Sequence, residues 1–391
     1  FSGDAVVSWE SLGLQSEFTA SAANIGFGWW SHDVGGHMFG IKDDELATRW
    51  VQLGVFSPIL RLHSTHDPFH SKEPWRFGEV ARRVMTRYLR LRHRLVPLIA
   101  TAAYHAHHDA RPVAEPMYHE HPWDHAAYRV PNQVRFGASL IVAPVVTPRD
   151  TSTLRAATPV WLPAGDWVDL FTGVAYRGDR VIEMHRDIDT LPVLAPAGSI
   201  IPLAADATVG NDTSPPSALD VWLVAGDDGA FTLAEDRDDD AFVFTDITYS
   251  HGDGRVRIAP VRGVAASVPE HRAIELVLVG FGHLESVRIG DAELELEPGP
   301  IAGSARVSLG EVSASAGAEA VLVGNRSLVS SSVGDALYRL IDEAQVEFAV
   351  KSRIWSAVDA HPPADAALAV AALDAPPALV AAVLELLLAR S

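Results

Sequence analysis

Apolar residues in the first third of the chain recur with a helical period in three segments. The pattern predicts helices over residues 11–23, 43–56 and 78–108. Ser8 is a candidate N-cap of the first helix, with Glu10 in its first turn. Two short apolar segments, residues 24–30 and 57–64, are predicted as strands. Alternation of strands and helices is typical of a parallel α/β sheet or barrel.

The pattern changes after about residue 122 to short apolar strands separated by Pro- and Gly-containing turns. This spacing predicts an all-β sandwich over residues 123–210. Its predicted strands lie within residues 139–146, 158–173, 180–185 and 192–203. A polar linker over residues 206–217 ends this part.

A second β-rich part and a helical tail complete the chain. The second β-domain is predicted over residues 211–325, with strands at 218–226, 230–236, 272–281 and 317–324. The acidic run 235–240 is predicted as a solvated turn. A calcium-binding loop is the alternative, although the run lacks the alternation and the glycine of an EF-hand.

The final part, residues 326–391, is rich in Ala and Leu and predicts short packed helices. Leu337, Ile341, Ala344 and Phe348 fall on one face at helical spacing. These residues carry no evident chemistry.

Composition excludes several classes of function. With 391 residues, the chain is long enough for two to four domains. A net charge of −19 argues against nucleic acid or an anionic membrane as a partner. The absence of cysteine excludes disulfides and thiolate chemistry, and it fits a cytoplasmic protein. No apolar run reaches the roughly 18–20 residues of a membrane span.

Three segments carry candidate chemistry. Asp4 follows a glycine and precedes a predicted helix, the position where α/β barrels place catalytic groups. The sequence GWWSHDVGGH, residues 28–37, combines Trp29 and Trp30, which can stack on a sugar ring, with Asp33, which can accept bonds from two hydroxyl groups. The glycine pair 35–36 allows a tight turn after Asp33.

Arg61 and His63 are two residues apart and therefore point to the same side of a strand. Arg61 could hold a carboxylate in its ionised state, and His63 could bond a sugar hydroxyl. A structural Arg–Asp bridge with a core histidine is the alternative interpretation. For Trp29, Trp30 and Asp33 the alternative is a buried tryptophan pair beside an Asx turn.

These segments, in this order, resemble glycoside hydrolase family 31, the α-glucosidase and α-xylosidase family. The resemblance includes Ser-Gly-Asp at 2–4, residues 28–37 and RWVQLGVFSPILRLHS at 49–64. It continues through PNQVRFGASLIVAPVVTP at 131–148 and GDDGAFTLAEDRDDD at 226–240. The resemblance implies the C-terminal part of a (β/α)8 barrel over residues 1–122, followed by two β-sandwich domains.

The resemblance also implies roles for individual residues. Asp4 falls on the general acid/base of the family, and Asp33 and His63 fall on ligands of the sugar in the cleaved subsite. Phe1 falls where relatives carry an aromatic residue lining that subsite. With Arg61, Trp29 and Trp30, these residues form the predicted substrate site. The implied substrate is an oligosaccharide or α-glucoside, and the implied reaction is retaining hydrolysis of a terminal α-linked sugar.

Family members carry their nucleophilic Asp upstream of the segment where this chain begins. Retaining hydrolysis needs two carboxyl groups, one of which forms a glycosyl ester. We therefore expect residues 1–391 alone to be inactive. An inert carbohydrate-binding or scaffolding remnant is the alternative, and so is α-xylosidase specificity in the longer protein.

Histidines 105, 107, 108, 119 and 121 cluster around the end of the third predicted helix. A zinc-dependent hydrolase built on them would lose activity to chelators. Histidines near a helix C-terminus are commonly placed there by the helix dipole, and zinc needs further ligands in register. The sequence therefore predicts neither a metal nor a cofactor.

Overall fold

The computed structural model describes residues 1–137, 139–205, 214–236, 242–330 and 333–390. Residues 237–240 of the acidic run lie outside the described residues, as do residues 206–213 of the predicted linker. Glu235, the first residue of that run, is described and is not in a solvated turn: it ends the strand Gly229–Glu235, is buried, and accepts two hydrogen bonds from the Arg272 guanidinium. For residues 237–240 the solvated turn and the calcium-loop alternative both lie outside the described residues.

Helices occupy the N-terminal part and the C-terminal tail of the described chain. They are α1 (Trp9–Ser21), α2 (Asp44–Val55), α3 (Glu79–Arg94), α4 (Val96–His108), α5 (Val333–Glu343), α6 (Phe348–Ala360), α7 (Pro363–Ala371) and α8 (Pro377–Leu387). No helix in the described ranges is both long and apolar enough to cross a membrane.

The predicted helix starts are confirmed at α1 and α2. Ser8 caps α1 by accepting a hydrogen bond from the backbone N–H of Ser11, and Asp43 caps α2 through the N–H groups of two residues in its first turn. The single helix predicted over residues 78–108 is wrong. It divides at Leu95 into α3 and α4, with Pro97 in the first turn of α4, where a missing N–H costs no helical bond.

The two strands predicted in this N-terminal part are also wrong, because neither segment forms a continuous run of paired strand residues. Residues 22–25 form a 3-10 turn, and residues 57–64 contain only one bridged position, Leu62. Single parallel bridges join Val6 to Met38 and Val34 to Leu62. Three neighbouring segments thus run side by side in parallel, in the order expected for consecutive barrel strands.

Strands fill the middle of the chain. They are β1 (Ala114–Pro116), β2 (Val134–Phe136), β3 (Leu140–Val142), β4 (Ala156–Leu162), β5 (Asp166–Asp169), β6 (Ala175–Arg177), β7 (Arg180–Arg186), β8 (Val193–Pro196), β9 (Ile200–Ala204), β10 (Ala218–Val224), β11 (Gly229–Glu235), β12 (Val243–Ser250), β13 (Arg255–Ile258), β14 (His271–Val279), β15 (Leu284–Ile289), β16 (Ala292–Leu294), β17 (Glu297–Pro298), β18 (Ala305–Ser313) and β19 (Ala318–Gly324).

The first sheet has the order β1-β2-β3-β8-β5-β6 and packs between the helices and the two-stranded antiparallel sheet β4-β7. Successive side chains of its strands point to opposite faces of the sheet, and both faces are buried. In β8, Val193 and Ala195 join the core shared with α2 and α3, whereas Leu194 joins the core under β4 and β7. Strand β1 lies before the predicted division at residue 122 and pairs with β2 beyond it.

Two further sheets pack face to face as a sandwich. One has the order β17-β18-β14-β10-β9 and the other β11-β12-β13-β19-β15-β16. Leu223 of β10, Leu276 of β14 and Leu322 of β19 are buried between them. Strand β9 pairs with β10, so the last strand of the predicted proximal range belongs to the distal sandwich.

The helical tail forms a small core of its own and packs on β7. Leu337, Ile341 and Ala344 are buried in that core, as predicted. Phe348 is not: it begins α6 after a break in the helix, and 85% of it is exposed.

A buried ionic network joins the tail to the first sheet. Arg186 of β7 donates to Asp169 Oδ2 at 2.6 Å and to Glu385 Oε1 of α8 at 2.8 Å. Glu385 also accepts a hydrogen bond from the Tyr176 hydroxyl at 2.8 Å and one from the backbone N–H of His185 at 2.6 Å. Burial alone would raise the pKa of the Glu385 carboxyl, but the Arg186 charge and the His185 bond lower it below its ordinary value.

Candidate active site

Backbone hydrogen bonds between the three parallel segments bring the predicted site residues together. The N–H of Ser2 donates to the Ser31 carbonyl at 3.1 Å, and the N–H of Val34 donates to the Arg61 carbonyl at 3.2 Å. Asp4, Asp33 and Arg61 therefore stand on adjacent segments. This is the arrangement in which barrel strands present side chains to one pocket.

The glycine pair after Asp33 makes the turn that the sequence predicts. Gly35 and Gly36 have φ values of 97° and 77°, a region that favours glycine. A Cβ on Gly36 would lie 3.0 Å from the Val7 Cα, so a side chain there would press on the neighbouring segment.

Asp33 is the buried anion of the site. Its side chain is 0% exposed, and its Oδ1 accepts a hydrogen bond from Arg61 Nη2 at 2.7 Å. Its Oδ2 has no hydrogen-bond partner among the described residues. A buried carboxylate oxygen without a hydrogen bond is costly, and a hydroxyl group of a bound molecule would supply the missing donor.

His37 connects the two carboxylates, a role that the sequence interpretation missed. Its Nε2 lies 3.6 Å from Asp4 Oδ2, and its Nδ1 lies 3.5 Å from Asp33 Oδ2. Its ring lies 5.0 Å from the His63 ring, tilted by 37°. The only signal in the sequence was its position four residues after Asp33, beyond the glycine turn.

The remaining predicted residues divide into two groups. Phe1 lies beneath the Arg61 guanidinium, 5.7 Å from ring centroid to carbon, and the Asp4 side chain is 48% exposed. Trp30 is buried and packs on Phe18 at 4.8 Å. Trp29 lines a separate depression beside the end of α4. The contacts of Trp29 and Trp30 therefore lie away from Asp33, and their predicted stacking on the sugar stays a prediction.

Asp33, His37 and His63 could in principle hold a cation, because one ligand atom from each lies within 4.8 Å of the others. No other such group exists among the described residues, so the histidines of the 105–121 region do not form one. Arg61 already provides a fixed positive charge 2.7 Å from Asp33. A metal would have to compete with that charge, and we assign the cluster as an ion-pair network.

His32, next to Asp33, is a buried neutral histidine that anchors the segment. The Trp50 indole donates to its Nδ1 at 3.3 Å, so its Nε2 carries the proton and donates to Ser57 Oγ at 3.0 Å. Burial lowers the pKa of His32 to about 4, although the charge of Asp33 opposes the shift.

We expect this histidine to make stability depend on pH. The unfolded chain binds a proton near pH 6.5, whereas folded His32 resists it down to about pH 4. The contribution of His32 to the free energy of unfolding is therefore greatest above pH 6.5 and falls by about 3 kcal/mol as pH drops to 4. Urea unfolding at pH 7 and pH 4 checks this. The variant His32→Gln should lack this component, and an unchanged pH dependence in that variant would contradict it.

Comparison with protein families gives two matches in succession. Residues 1–102 match the glycosyl hydrolases family 31 TIM-barrel domain, and residues 110–201 match the glycosyl hydrolase family 31 C-terminal domain.

Two curated relatives are similar over about two thirds of this chain. Alpha-glucosidase 2 of Bacillus thermoamyloliquefaciens is 32% identical over 256 residues, which cover 65% of this chain and 30% of the relative. An alpha-xylosidase of Saccharolobus solfataricus is 30% identical over 266 residues, which cover 67% of this chain and 34% of the relative. The chain thus spans about a third of the length of these relatives.

Solved structures support the fold. A Flavobacterium johnsoniae GH31 dextranase complexed with glucose aligns with a TM-score of 0.72 and 23% identity, covering 83% of this chain and 44% of that one. A GH31 alpha-xylosidase from Xanthomonas citri aligns with a TM-score of 0.63 and 27% identity, covering 71% of this chain and 31% of that one. The mixed helix and sheet content of this chain is therefore that of the family.

Proposed function

Since the chain belongs to glycoside hydrolase family 31, we propose that the whole protein is a retaining α-glycosidase. It hydrolyses terminal α-linked glucose, or a related α-linked sugar, from oligosaccharides. One observation carries the proposal: a fully buried Asp33 with one unpartnered oxygen stands beside the Arg61 and His37 side chains and close to Asp4.

Asp4 acts as the general acid and base. Its half-exposed side chain can protonate the leaving glycosidic oxygen and then take a proton from the attacking water. The glycosyl ester forms on a second carboxylate about 5–5.5 Å away. In this proposal that nucleophile comes from a part of the protein outside the 391 residues.

Asp33 and His63 bind hydroxyl groups of the sugar. Asp33 accepts through Oδ2, because Oδ1 is occupied by Arg61. Arg61 places a positive charge 2.7 Å from Oδ1, and a hydrogen bond from the sugar to a charged carboxylate is shorter and stronger than a neutral one. Bonds of this kind accelerate the reaction to the extent that they strengthen as the sugar ring approaches the transition state.

An α-xylosidase is the second candidate, favoured by the 30% identity to an alpha-xylosidase over two thirds of the chain. Xylose lacks the hydroxymethyl group of glucose. A pocket that excludes that group would prefer α-xylosides. An apolar pocket that merely accommodates the extra carbon would discriminate between the two sugars by only about 10–200-fold.

Hydrolysis of 4-nitrophenyl α-glucoside and α-xyloside by the longer protein tests the function. We expect turnover of at least one of them and a loss of about 10²-fold in kcat/KM for Asp33→Asn, because a charge-assisted hydrogen bond to the sugar is removed. Asp109→Asn, an exposed carboxylate at the end of α4, is the control and should keep full activity. Glucose binding without turnover would favour the binding remnant.

A further inference from the structure

A cavity separate from Asp4 and Asp33 lies between α3, the first sheet and the distal sandwich. It has a volume of about 720 Å³ and is open on one side. Its apolar lining includes Phe56, Leu140, Phe171, Trp222 and Ile301. The volume is typical of small-molecule sites, which are about 300–1,000 Å³ and mostly apolar.

Positive charge is concentrated along one side of this cavity. Five arginines of α3 line it: Arg82, Arg83, Arg87, Arg90 and Arg94. Asp189 pairs with two of them and Asp220 with a third, so three of the five arginines are engaged in ion pairs. The remainder of the chain is acidic, with a net charge of −19 overall.

Arg82 and Arg90 are the cations that are available to a ligand. Within the described ranges the guanidinium group of neither makes an ion pair or a hydrogen bond, and both residues are exposed. They are eight residues apart on α3, so they lie about two turns from each other on one side of the helix. An anion at the mouth of the cavity would meet two guanidinium groups that no carboxylate of the described residues pairs with.

Trp222 of β10 forms part of the apolar interior of the cavity. Its side chain is only 8% exposed, and its Nε1 is buried within the protein. The indole therefore offers a bound molecule an apolar ring and no accessible donor.

We propose that this cavity binds a small amphipathic carboxylate. Its apolar body occupies the aromatic and aliphatic interior, and its carboxylate meets Arg82 and Arg90. An uncharged sugar fits this lining poorly, because its hydroxyl groups would lose their bonds to water. The site is therefore distinct from the proposed substrate site and does not depend on the proposed activity.

Isothermal titration calorimetry on the chain with two matched probes tests the proposal. The probes are 4-phenylbutanoate and 4-phenylbutylamine, which has the same apolar body and the opposite charge. We expect the acid to bind at least tenfold more tightly than the amine. Equal affinity for the two probes, or binding of neither, would overturn the proposal.

Variants test the contribution of the two arginines. The double variant Arg82→Ala/Arg90→Ala should weaken binding of 4-phenylbutanoate at least tenfold, whereas Arg129→Ala, an exposed arginine outside the cavity lining, should not. Since both arginines of the double variant are on the surface, we expect it to fold as the parent does. Unchanged affinity in the arginine variant would contradict the site.

Discussion

Replacing Asp4 with Asn in the longer protein is expected to lower kcat/KM for unactivated α-linked disaccharides by roughly 10²–10⁴-fold. A disaccharide has a poor leaving group that must be protonated as the bond breaks, and an amide cannot supply that proton. Aryl glycosides with acidic phenols leave without protonation, so their bond cleavage should suffer far less. Steady-state kinetics over a series of aryl leaving groups checks the prediction.

For the variant, kcat/KM should depend steeply on the pKa of the leaving-group phenol, whereas for the parent protein the dependence should be shallow. Asp109→Asn serves again as the control for a carboxylate outside the site. Equal losses on disaccharides and activated aryl glycosides would show that Asp4 acts on binding or folding and not as the acid.

Arg186→Leu is expected to destabilise the attachment of the helical tail by about 3–5 kcal/mol. The change removes the cation shared by Asp169 and Glu385 and leaves both carboxylates buried without it. Their desolvation is then uncompensated, and the region can relieve it by opening between α8 and β7. Urea unfolding measures the loss, and limited proteolysis should cut within residues 326–391 at much lower protease concentration than in the parent.

A surface pair provides the matched control. Arg262 and Asp246 form a comparable ion pair at 2.9 Å, but both side chains are substantially exposed. Arg262→Leu should therefore cost less than about 1 kcal/mol. A loss for Arg186→Leu no larger than that of Arg262→Leu would mean that the buried network contributes little to holding the tail.

Most of the secondary structure could be predicted from the sequence because it depends on local signals. Ser8 and Asp43 cap helices, and the strands of both β-rich parts alternate as buried strands do. The break between α3 and α4 was available to prediction too, since proline favours the first turn of a helix. The helical pattern of apolar residues continues through Pro97, so the sequence interpretation missed the break between the two helices.

Other features depend on contacts between distant residues and could not be predicted. Residues 200–204 belong to the distal sandwich because β9 pairs with β10, and no local sequence pattern indicates that pairing. Glu385 is one acid in an apolar helix, and its partner Arg186 lies 199 positions away.

In the site, sequence reasoning could not decide between stacking on a sugar and a buried tryptophan pair, because an apolar segment does not reveal which way its aromatic side chains turn. In the structure Trp30 is buried, whereas Trp29 is about half exposed. His37 was missed for the same reason: its contacts with both carboxylates exist only once the parallel segments are aligned.

The most direct test of the central claim, that Asp4 is the acid/base of a retaining α-glycosidase, is chemical rescue. The longer protein with Asp4→Ala should be treated with 2,4-dinitrophenyl α-glucoside and azide, and the product identified by proton NMR. The β-linked glycosyl ester persists without its base, and azide attacks it from the opposite face. The account predicts faster turnover and α-glucosyl azide as product. No rescue, or β-glucosyl azide, would contradict it.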